Sequence, residues 1–314
     1  MRTEKREIDS ASAFRFWLLF FRCLLLGIER FEKAKGVLWG GHGWILDKIC
    51  REVSAARAQS QGLPTLVATE ELFYVIALRS FILGDRTRKF HLYFTHPKEI
   101  FLPIALRKLL LKRVEVVFIQ SLAHKSYLQS FLPSDCKFIE TWGAVDKQEI
   151  RMAFAKTIRP CKKIQFITVG RYYKRKNAEI LSLCADAHPE VDFLIIGENW
   201  PKNITDRLNV RSIEHVESVY PYILESVALI APGSIEGGPY PLLEAAACGV
   251  PVIAYRTGIV ESPNWNYQAT YRFDSASELM AIVEFFKHSD LQCQPYDIDD
   301  WGRFSQRFVN LDEY

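Results

Sequence analysis

The sequence alternates short apolar runs with longer stretches of helical periodicity, and it does so in two successive series. We predict strands at residues 37–39, 65–68, 91–94, 114–119, 137–140, 165–169, 192–196, 227–231 and 251–255. We predict helices at residues 44–59, 72–83, 99–113, 122–131, 177–187, 241–248 and 277–288, with a final short helix within 299–310. Strands that alternate with helices of this length form βαβ units, so the sequence predicts an α/β protein with parallel sheets.

The two series are separated by a polar and basic segment, residues 146–163, which contains Pro160 and which we interpret as a linker. A chain of 314 residues suits two domains that each bury a core. We therefore expect a first domain at 1–155, a second at 156–298, and a tail at 299–314 that returns to the first domain as a helix. In two doubly wound domains the loops at the carboxyl ends of both sheets would face a cleft.

The composition is that of an ordinary globular protein, with 49% hydrophobic and 25% charged residues. A net charge of +3 is too small to indicate nucleic-acid binding, and we expect no nucleic-acid partner. The seven cysteines are scattered without a CxxC pair, which argues against a disulfide framework and a structural zinc site. We expect a protein of the reducing cytoplasm.

The N-terminal segment opens with mixed charge, and no small-residue cleavage site follows its apolar stretch, so we do not interpret it as a signal peptide. That stretch runs from Phe14 to Ile28 and is interrupted by Arg15 and Arg22. It falls short of the ~20 apolar residues that span a bilayer. Two interpretations remain open: a helix packed on the first domain, or an interfacial anchor on the cytoplasmic face of a membrane.

The predicted helix from Glu99 to Arg113 places four basic side chains among leucines; they are Arg107, Lys108, Lys112 and Arg113. One interpretation is a crossover helix with a charged outer side. The other is a basic amphipathic surface that docks on anionic lipid. The second interpretation would make a membrane-linked substrate reasonable.

A glycine-rich turn at 233–238 precedes a short, well-bounded helix, with Pro241 at its first position and Gly249 just past its end. Backbone N–H groups at such a helix start form an anion site. Glu236 lies in the turn and Glu244 in the helix. Both would repel a phosphate, but both could accept hydrogen bonds from hydroxyls on either side of a diphosphate, as in a nucleotide sugar. Alternatively, Glu244 only complements the helix dipole and Glu236 is an ordinary loop acid.

A second candidate site follows the predicted strand 165–169, where Gly170 is followed by Arg171 and then Lys176. An arginine and a lysine held beside a helix start can stabilise the charge that builds on a departing diphosphate without a metal. The alternative is a solvated basic loop, since Lys174 and Arg175 belong to the same cluster.

The first domain offers weaker signals. Gly40 and Gly41 follow the first strand, where glycine lets the backbone approach a phosphate closely. His96 ends a strand on the side expected to face the cleft, and His42 is the competing histidine. A lone histidine is more often structural than functional.

The run from Glu236 to Ala254 resembles the E-x7-E signature of the retaining glycosyltransferases called family four, including the trailing E-A-x-A-x-G-x-P-V. The G-R-x4-K at Gly170 to Lys176 resembles the basic motif of the same family. The resemblance implies a GT-B fold of two doubly wound Rossmann-like domains with parallel sheets, facing a cleft. It places the residues in the following roles: Glu236 and His96 on the transferred sugar, Glu244 on the ribose, Arg171 and Lys176 on the diphosphate, and Gly40, Gly41, Gly237, Gly238, Tyr240 and Leu243 around the donor.

The resemblance further implies transfer of a hexose-type sugar from a nucleotide donor to a glycan or glycolipid acceptor, with retention of configuration and without a metal or other cofactor. Assembly of cell-surface polysaccharide or lipopolysaccharide is the expected context. Pro239 departs from the family, which commonly has glycine there, and proline has no N–H to donate. Gly238 stands where relatives carry an aromatic residue, and Trp142 replaces an asparagine. A non-catalytic nucleotide-binding module, or a sugar-phosphate epimerase or phosphorylase of the same fold, therefore remains open.

Overall fold

The computed structural model describes residues 17–18, 20–21, 37–38, 44–60, 62–97, 102–156, 164–289, 291 and 293–311. The chain divides into two compact units. The first comprises the described residues up to Gln120 together with His124–Thr141 and those from Gly302 onwards. The second comprises Ser121–Ala123 and Trp142–Trp301, so it begins well before the expected boundary at residue 155.

The sheet of the first unit has five strands, all parallel, in the order β1-β2-β3-β4-β5. The strands are β1 (Val37–Leu38), β2 (Thr65–Ala68), β3 (Phe90–Phe94), β4 (Val114–Ile119) and β5 (Lys137–Glu140). The helices are α1 (Trp44–Arg57), α2 (Glu70–Ile82), α3 (Ile104–Leu111) and α4 (Lys125–Gln129), the last preceded by a 3-10 turn at Leu122–His124. Since β3 and β4 are buried along nearly their whole length, their apolar runs are nearly continuous, as parallel strands require.

The sheet of the second unit has six parallel strands in the order β11-β10-β9-β6-β7-β8. The strands are β6 (Gln165–Val169), β7 (Asp192–Ile196), β8 (Val210–Ile213), β9 (Ala228–Ala231), β10 (Val252–Tyr255) and β11 (Thr270–Phe273). The helices are α5 (Lys147–Lys156), α6 (Ala178–Ala187), α7 (Lys202–Thr205), α8 (Tyr220–Leu224), α9 (Tyr240–Ala247) and α10 (Ala276–Lys287). The direction of winding reverses between β6 and β9, which makes this pair the topological switch point of the sheet.

One last helix, α11 (Trp301–Gln306), follows at the end of the second unit. Within the first unit, Phe304 and Phe308 are fully buried. The ring of Phe308 stacks on Phe118 of β4 with centroids 4.3 Å apart and contacts Tyr93 of β3 edge-on. The C-terminal segment thereby completes the aromatic core of this unit.

The interpretation of residues 146–163 as a linker is wrong for its first part, because α5 occupies Lys147–Lys156. Asp146 caps this helix: its Oδ1 accepts the backbone N–H groups of Gln148 and Glu149. Ile150 and Ala153, one helical turn apart, are buried in the core of the second unit. Only these two positions of α5 are buried, so the sequence of this helix shows no clear apolar periodicity.

The basic helix of the first unit is shorter than predicted, and residues 98–101 lie outside the described part. Two of its four basic residues are not available to lipid. Arg107 Nη2 lies 3.1 Å from the buried carboxylate of Glu70, and Arg113 donates inside the unit to Ala77 O and Ser80 Oγ. Lys108 and Lys112, by contrast, are exposed.

The prediction of an α/β fold with parallel sheets is confirmed in both units. Five cysteines lie in the described segments, and none of them forms a disulfide there: Cys50, Cys136, Cys184, Cys248 and Cys293. Burial raises the pKa of the Cys184 thiol to about 12, so it is protonated and unreactive at neutral pH. No helix within the described ranges has the length and apolar character needed to cross a membrane.

Candidate functional site

The loops that follow β6 and β9 lie side by side at the carboxyl edge of the second sheet. Ser234 donates its backbone N–H to Arg175 O at 2.9 Å, and the Asn177 amide donates to Pro232 O at 3.1 Å. Because β6 and β9 are paired neighbours, these two bonds join the basic loop to the glycine-rich turn across the switch point. Open α/β sheets bind ligands in the crevice at such a point.

Glu236, in the glycine-rich turn, contacts two residues of the basic loop. Its side chain is only 10% exposed, and Oε1 lies 2.9 Å from Lys176 Nζ and 3.7 Å from Arg175 Nε. Gly258 packs on the turn so closely that a Cβ there would lie 2.3 Å from Glu236 O. The carbonyl of Gly258 in turn accepts the Ser121 hydroxyl at 2.7 Å. The Glu236 carboxylate is therefore held against Lys176, a residue of the basic motif, which the sequence analysis treated as a separate site.

Helix α9 begins at Tyr240 with Pro239 as its cap and Pro241 in its first turn, one residue earlier than predicted. Gly249 ends it in the left-handed region (φ +68°), as the sequence predicts. Leu242 N–H donates to Pro239 O at 3.0 Å. Gly237 and Gly238 are buried at the start of the helix. The acidic motif is thus a turn followed by a helix start, as the candidate anion site requires.

The remaining members of the acidic motif are held by packing. Tyr240 is buried and stacks on Trp301 with ring centroids 6.0 Å apart, and Leu243 is fully buried. Glu244 is half-buried on α9. Burial first, and the Glu244 carboxylate second, raise the pKa of the Tyr220 phenol. Glu244 therefore lies close to a buried hydroxyl within the same unit.

Arg171 contacts the turn after β7 and not Glu236. With the Asn199 amide oriented so that its oxygen faces the guanidinium, that oxygen accepts from Arg171 Nη2 at 3.0 Å and from Nε at 2.9 Å. The Glu198 carboxylate lies 3.9 Å from Arg171 Nε. The structure therefore separates the two basic residues: Lys176 belongs to the β9 turn, and Arg171 to the turn after β7.

In the first unit, His96 lies just past the carboxyl end of β3, half-buried, with Nδ1 3.1 Å from Thr95 Oγ1. Gly40, Gly41 and the competing His42 lie outside the described residues. The end of β2 carries a feature that the sequence did not indicate: Thr69 has φ +87°, a conformation that β-branched residues rarely adopt. Its hydroxyl caps α2 by accepting the N–H of Leu72.

Three further residues of the second-unit site were not assigned a role from sequence. Arg175 was grouped only with a solvated basic cluster, yet it contacts Glu236. Asn199, whose amide holds Arg171, received no role from the sequence. Ser121, whose hydroxyl donates to Gly258 O, received none either. Of these three residues, only Asn199 could have been noticed in the sequence. It lies two residues after Gly197 at a strand end, and asparagine tolerates a left-handed backbone.

Within the described residues one cluster has the composition of a metal site, and it is formed by His188, Glu190 and Glu284. It follows the C-terminal end of α6, at the amino edge of the sheet, away from the switch point. The Lys287 ammonium lies 2.7 Å from Glu284 and also pairs with Glu190. A cation that belongs to the protein already occupies the position between the two carboxylates.

Residues 149–284 match the family model described as glycosyl transferases group 1, and both candidate motifs fall within this range. A comparison with curated proteins gives no significant match. Among solved structures, HepE of Anabaena in complex with UDP is similar over 85% of this chain and 79% of its own, with 14% identity and a TM-score of 0.55.

Sucrose-phosphate synthase from Thermosynechococcus elongatus covers 89% of this chain and 77% of its own, with 16% identity and a TM-score of 0.58. A glycosyltransferase from Rickettsia africae ESF-5 covers 86% of this chain and 77% of its own, with 15% identity and a TM-score of 0.52. At this identity the likeness establishes the fold, which is the GT-B fold that the motifs predict. The fold is therefore GT-B, and residues 149–284 match the model of the group 1 glycosyl transferases.

Proposed function

We propose that the protein is a retaining, metal-independent glycosyltransferase that moves a hexose-type sugar from a nucleoside diphosphate to a glycan or glycolipid acceptor. The observation that carries the proposal is the pairing of Lys176 with Glu236 at the switch point, inside the region that matches the family model. HepE was solved in complex with UDP-glucose. UDP-glucose is therefore the first donor to test.

Each proposed role follows from position and charge. Arg171, Lys176 and the start of α9 bind the diphosphate, since cations and helix N-termini stabilise phosphate oxygens. Glu236 accepts hydroxyls of the transferred sugar: a carboxylate has about four lone-pair sites, so pairing with Lys176 leaves others for the donor. Glu244 accepts ribose hydroxyls. From the resemblance alone, we assign further donor contacts to Gly237, Gly238, Tyr240 and Leu243, and separately to Gly40, Gly41 and His96.

The proposed reaction breaks the bond between C1 of the sugar and the diphosphate oxygen. The acceptor oxygen forms its bond to C1 on the same face, and its proton passes to the departing diphosphate. Charge accumulates on the leaving group as the bond breaks. Lys176 and Arg171 stabilise that charge more strongly than they stabilise the intact donor, which is how such groups accelerate a reaction.

A second candidate function is nucleotide binding without catalysis, and a specific observation favours it. Pro239 caps α9 and has no N–H, so the helix start has one donor fewer than glycine would give. A weaker hold on the leaving group would preserve binding and abolish turnover.

A panel of UDP-, GDP- and ADP-sugars, assayed for nucleotide release and for calorimetric binding, separates these functions. The proposal expects turnover with at least one donor and a loss of about a hundredfold or more in kcat for Glu236→Gln. Glu115→Gln, an exposed carboxylate on β4, is the matched control and should change nothing. Binding without turnover would support the nucleotide-binding module, and no binding of any donor would reject both functions.

We also propose that the protein acts in the cytoplasm and docks peripherally on the inner face of the membrane during cell-surface polysaccharide or lipopolysaccharide assembly. Trp17, Leu18 and Phe21 are helical and exposed, and Lys108 and Lys112 are exposed on the first unit. Apolar side chains and lysines together favour anionic lipid surfaces. Deletion of residues 1–30 should reduce co-sedimentation with anionic vesicles, and equal sedimentation of the full and shortened chains would reject the anchor.

A further inference from the structure

A tight turn after β7, residues 197–200, is fixed against the segment that carries Arg171. Gly170 N–H donates to Ile196 O at 2.8 Å, and Tyr172 N–H donates to Glu198 O at 2.9 Å. The indole of Trp200, itself buried, donates to Gly170 O at 2.9 Å. Three hydrogen bonds thus hold the two backbone segments in one register on either side of Arg171.

Two backbone conformations in this turn restrict which residues fit it. At Gly197 (φ +146°) a Cβ would lie 2.2 Å from Gly170 O, so only glycine permits the close approach. Asn199 has φ +64°, the left-handed region that asparagine adopts more readily than other residues with a side chain. This conformation presents the Asn199 amide to the guanidinium of Arg171.

The contact between Asn199 and Arg171 occupies one edge of the guanidinium, and the other edge is left for a ligand. Asn199 accepts from Nε and from Nη2 of Arg171, at 2.9 and 3.0 Å. A guanidinium carries five N–H groups in a planar fork, so a second edge formed by Nη1 and Nη2 remains for a bidentate bond to phosphate oxygens. Fixing one edge sets the plane in which the second edge is offered.

The chemistry of the acceptor matters as much as its position. An amide oxygen is neutral, so it orients the guanidinium without cancelling its charge. A carboxylate at the same place would hold Arg171 equally well but would oppose its attraction for a diphosphate. Glu198 approaches Arg171 no closer than 3.9 Å, and both side chains are more than half exposed, so water screens that pair.

We propose that Asn199 is a positioning residue that acts through Arg171, orienting the guanidinium so that its second edge binds the diphosphate of the donor. This inference rests on the proposed function, because it assigns the ligand of that edge. Asn199 itself does not contact the donor. Its neutral amide distinguishes the arrangement from an ordinary surface ion pair.

The geometry is tested by NMR without any donor. The Arg171 Nε–H signal, assigned by its loss in Arg171→Lys, should exchange with water several-fold faster in Asn199→Gly. Glycine suits φ +64°, so this variant removes the amide without straining the turn. Asn199→Asp keeps an acceptor and should preserve the protection. Equal exchange in the wild type and Asn199→Gly would overturn the proposal.

The function is tested by kinetics with the preferred donor. Asn199→Gly should lower kcat/KM about tenfold, as for loss of a hydrogen bond to a charged group. If Asn199 acts through Arg171, then Arg171→Lys combined with Asn199→Gly should be no worse than Arg171→Lys alone. Asn203→Gly, an exposed asparagine on α7, is the control and should leave kcat/KM unchanged. Asn199→Asp should raise the KM for donor.

The outcomes separate this inference from the proposed function. Turnover with additive effects of the two substitutions would overturn the role of Asn199 and leave the transferase proposal standing. Absence of turnover and of donor binding in the wild type would overturn the transferase proposal and, with it, the assigned ligand. Loss of Nε–H protection together with non-additive kinetics is the result that supports both.

Discussion

The ammonium of Lys176 lies 2.9 Å from the carboxylate of Glu236, and this pair joins the loops that follow two neighbouring parallel strands. The two side chains are 13% and 10% exposed. An ion pair so shielded is costly to break from one side, because the remaining charge is left without its partner. The acidic and basic motifs are therefore one electrostatic unit.

The pair should show strong coupling in a double-mutant cycle. Lys176→Met and Glu236→Gln are each expected to destabilise the protein by about 2–4 kcal/mol, and the double variant by less than their sum, with a coupling of about 1–3 kcal/mol. Urea unfolding of the whole protein, followed by tryptophan fluorescence, measures these free energies.

The control is Lys89 with Glu115, which lie 3.7 Å apart with side chains 51% and 44% exposed. Solvent screens such a pair, so its coupling should stay below about 1 kcal/mol. Equal coupling in the two pairs would show that burial does not strengthen the contact between Lys176 and Glu236.

Substitution at Gly197 should affect both folding and the candidate site. Gly197→Ala places a Cβ against Gly170 O, and we expect it to cost about 1–3 kcal/mol more than a glycine replacement in open space. Gly84→Ala is that comparison: its φ is +88° and a Cβ there meets nothing within 4 Å. Thermal unfolding of both variants, with donor binding measured on each, tests the prediction; equal destabilisation would contradict it.

The central strands could be predicted from sequence because burial on both faces makes them continuously apolar. The predicted runs at 65–68, 114–119, 165–169 and 192–196 coincide with β2, β4, β6 and β7. The strands β8 and β11 were missed because each lies at an edge of its sheet and carries exposed or half-buried polar residues. An edge strand lacks the pattern that identifies a buried one.

The two charged residues that meet at the switch point could be singled out from sequence, but the contact between them could not be predicted. Glu236 and Lys176 were identified from their motifs, yet their contact depends on β6 lying beside β9. That adjacency arises from the reversal of strand order, which no local pattern encodes. The hold of Asn199 on Arg171 depends likewise on the registry between the ends of β6 and β7.

Thr69 stores backbone strain at the end of β2, and two substitutions should change stability in opposite directions. Thr69→Gly removes a strain of about 1–3 kcal/mol and loses only a few tenths from the cap and some backbone entropy, so we expect net stabilisation by up to about 1 kcal/mol. Thr69→Ala keeps the strain and loses the cap, so it should destabilise by about 1 kcal/mol. Chemical unfolding of both variants checks the two signs, and destabilisation by both would contradict the strain.

His91 lies in β3 with only 1% of its surface exposed, and its Nδ1 is 3.3 Å from Arg57 Nη1. Burial first, and the Arg57 charge second, lower the pKa of His91 from 6.5 to about 3. The folded protein therefore keeps this imidazole neutral in a range where the unfolded chain protonates it. Because the unfolded state binds more protons below pH 6.5, acid favours unfolding.

We expect the free energy of unfolding to fall as the pH drops below 6.5, with His91 contributing up to about 1.4 kcal/mol per pH unit until the pH approaches 3. His91→Gln keeps an acceptor for Arg57 but does not titrate, so its stability should decline less steeply, by about 2 kcal/mol between pH 7 and pH 5. The measurement is urea unfolding at a series of pH values. His215→Gln is the control, because it removes an exposed imidazole and leaves the core unchanged. Parallel slopes for wild type and His91→Gln would mean that His91 is protonated in the folded protein.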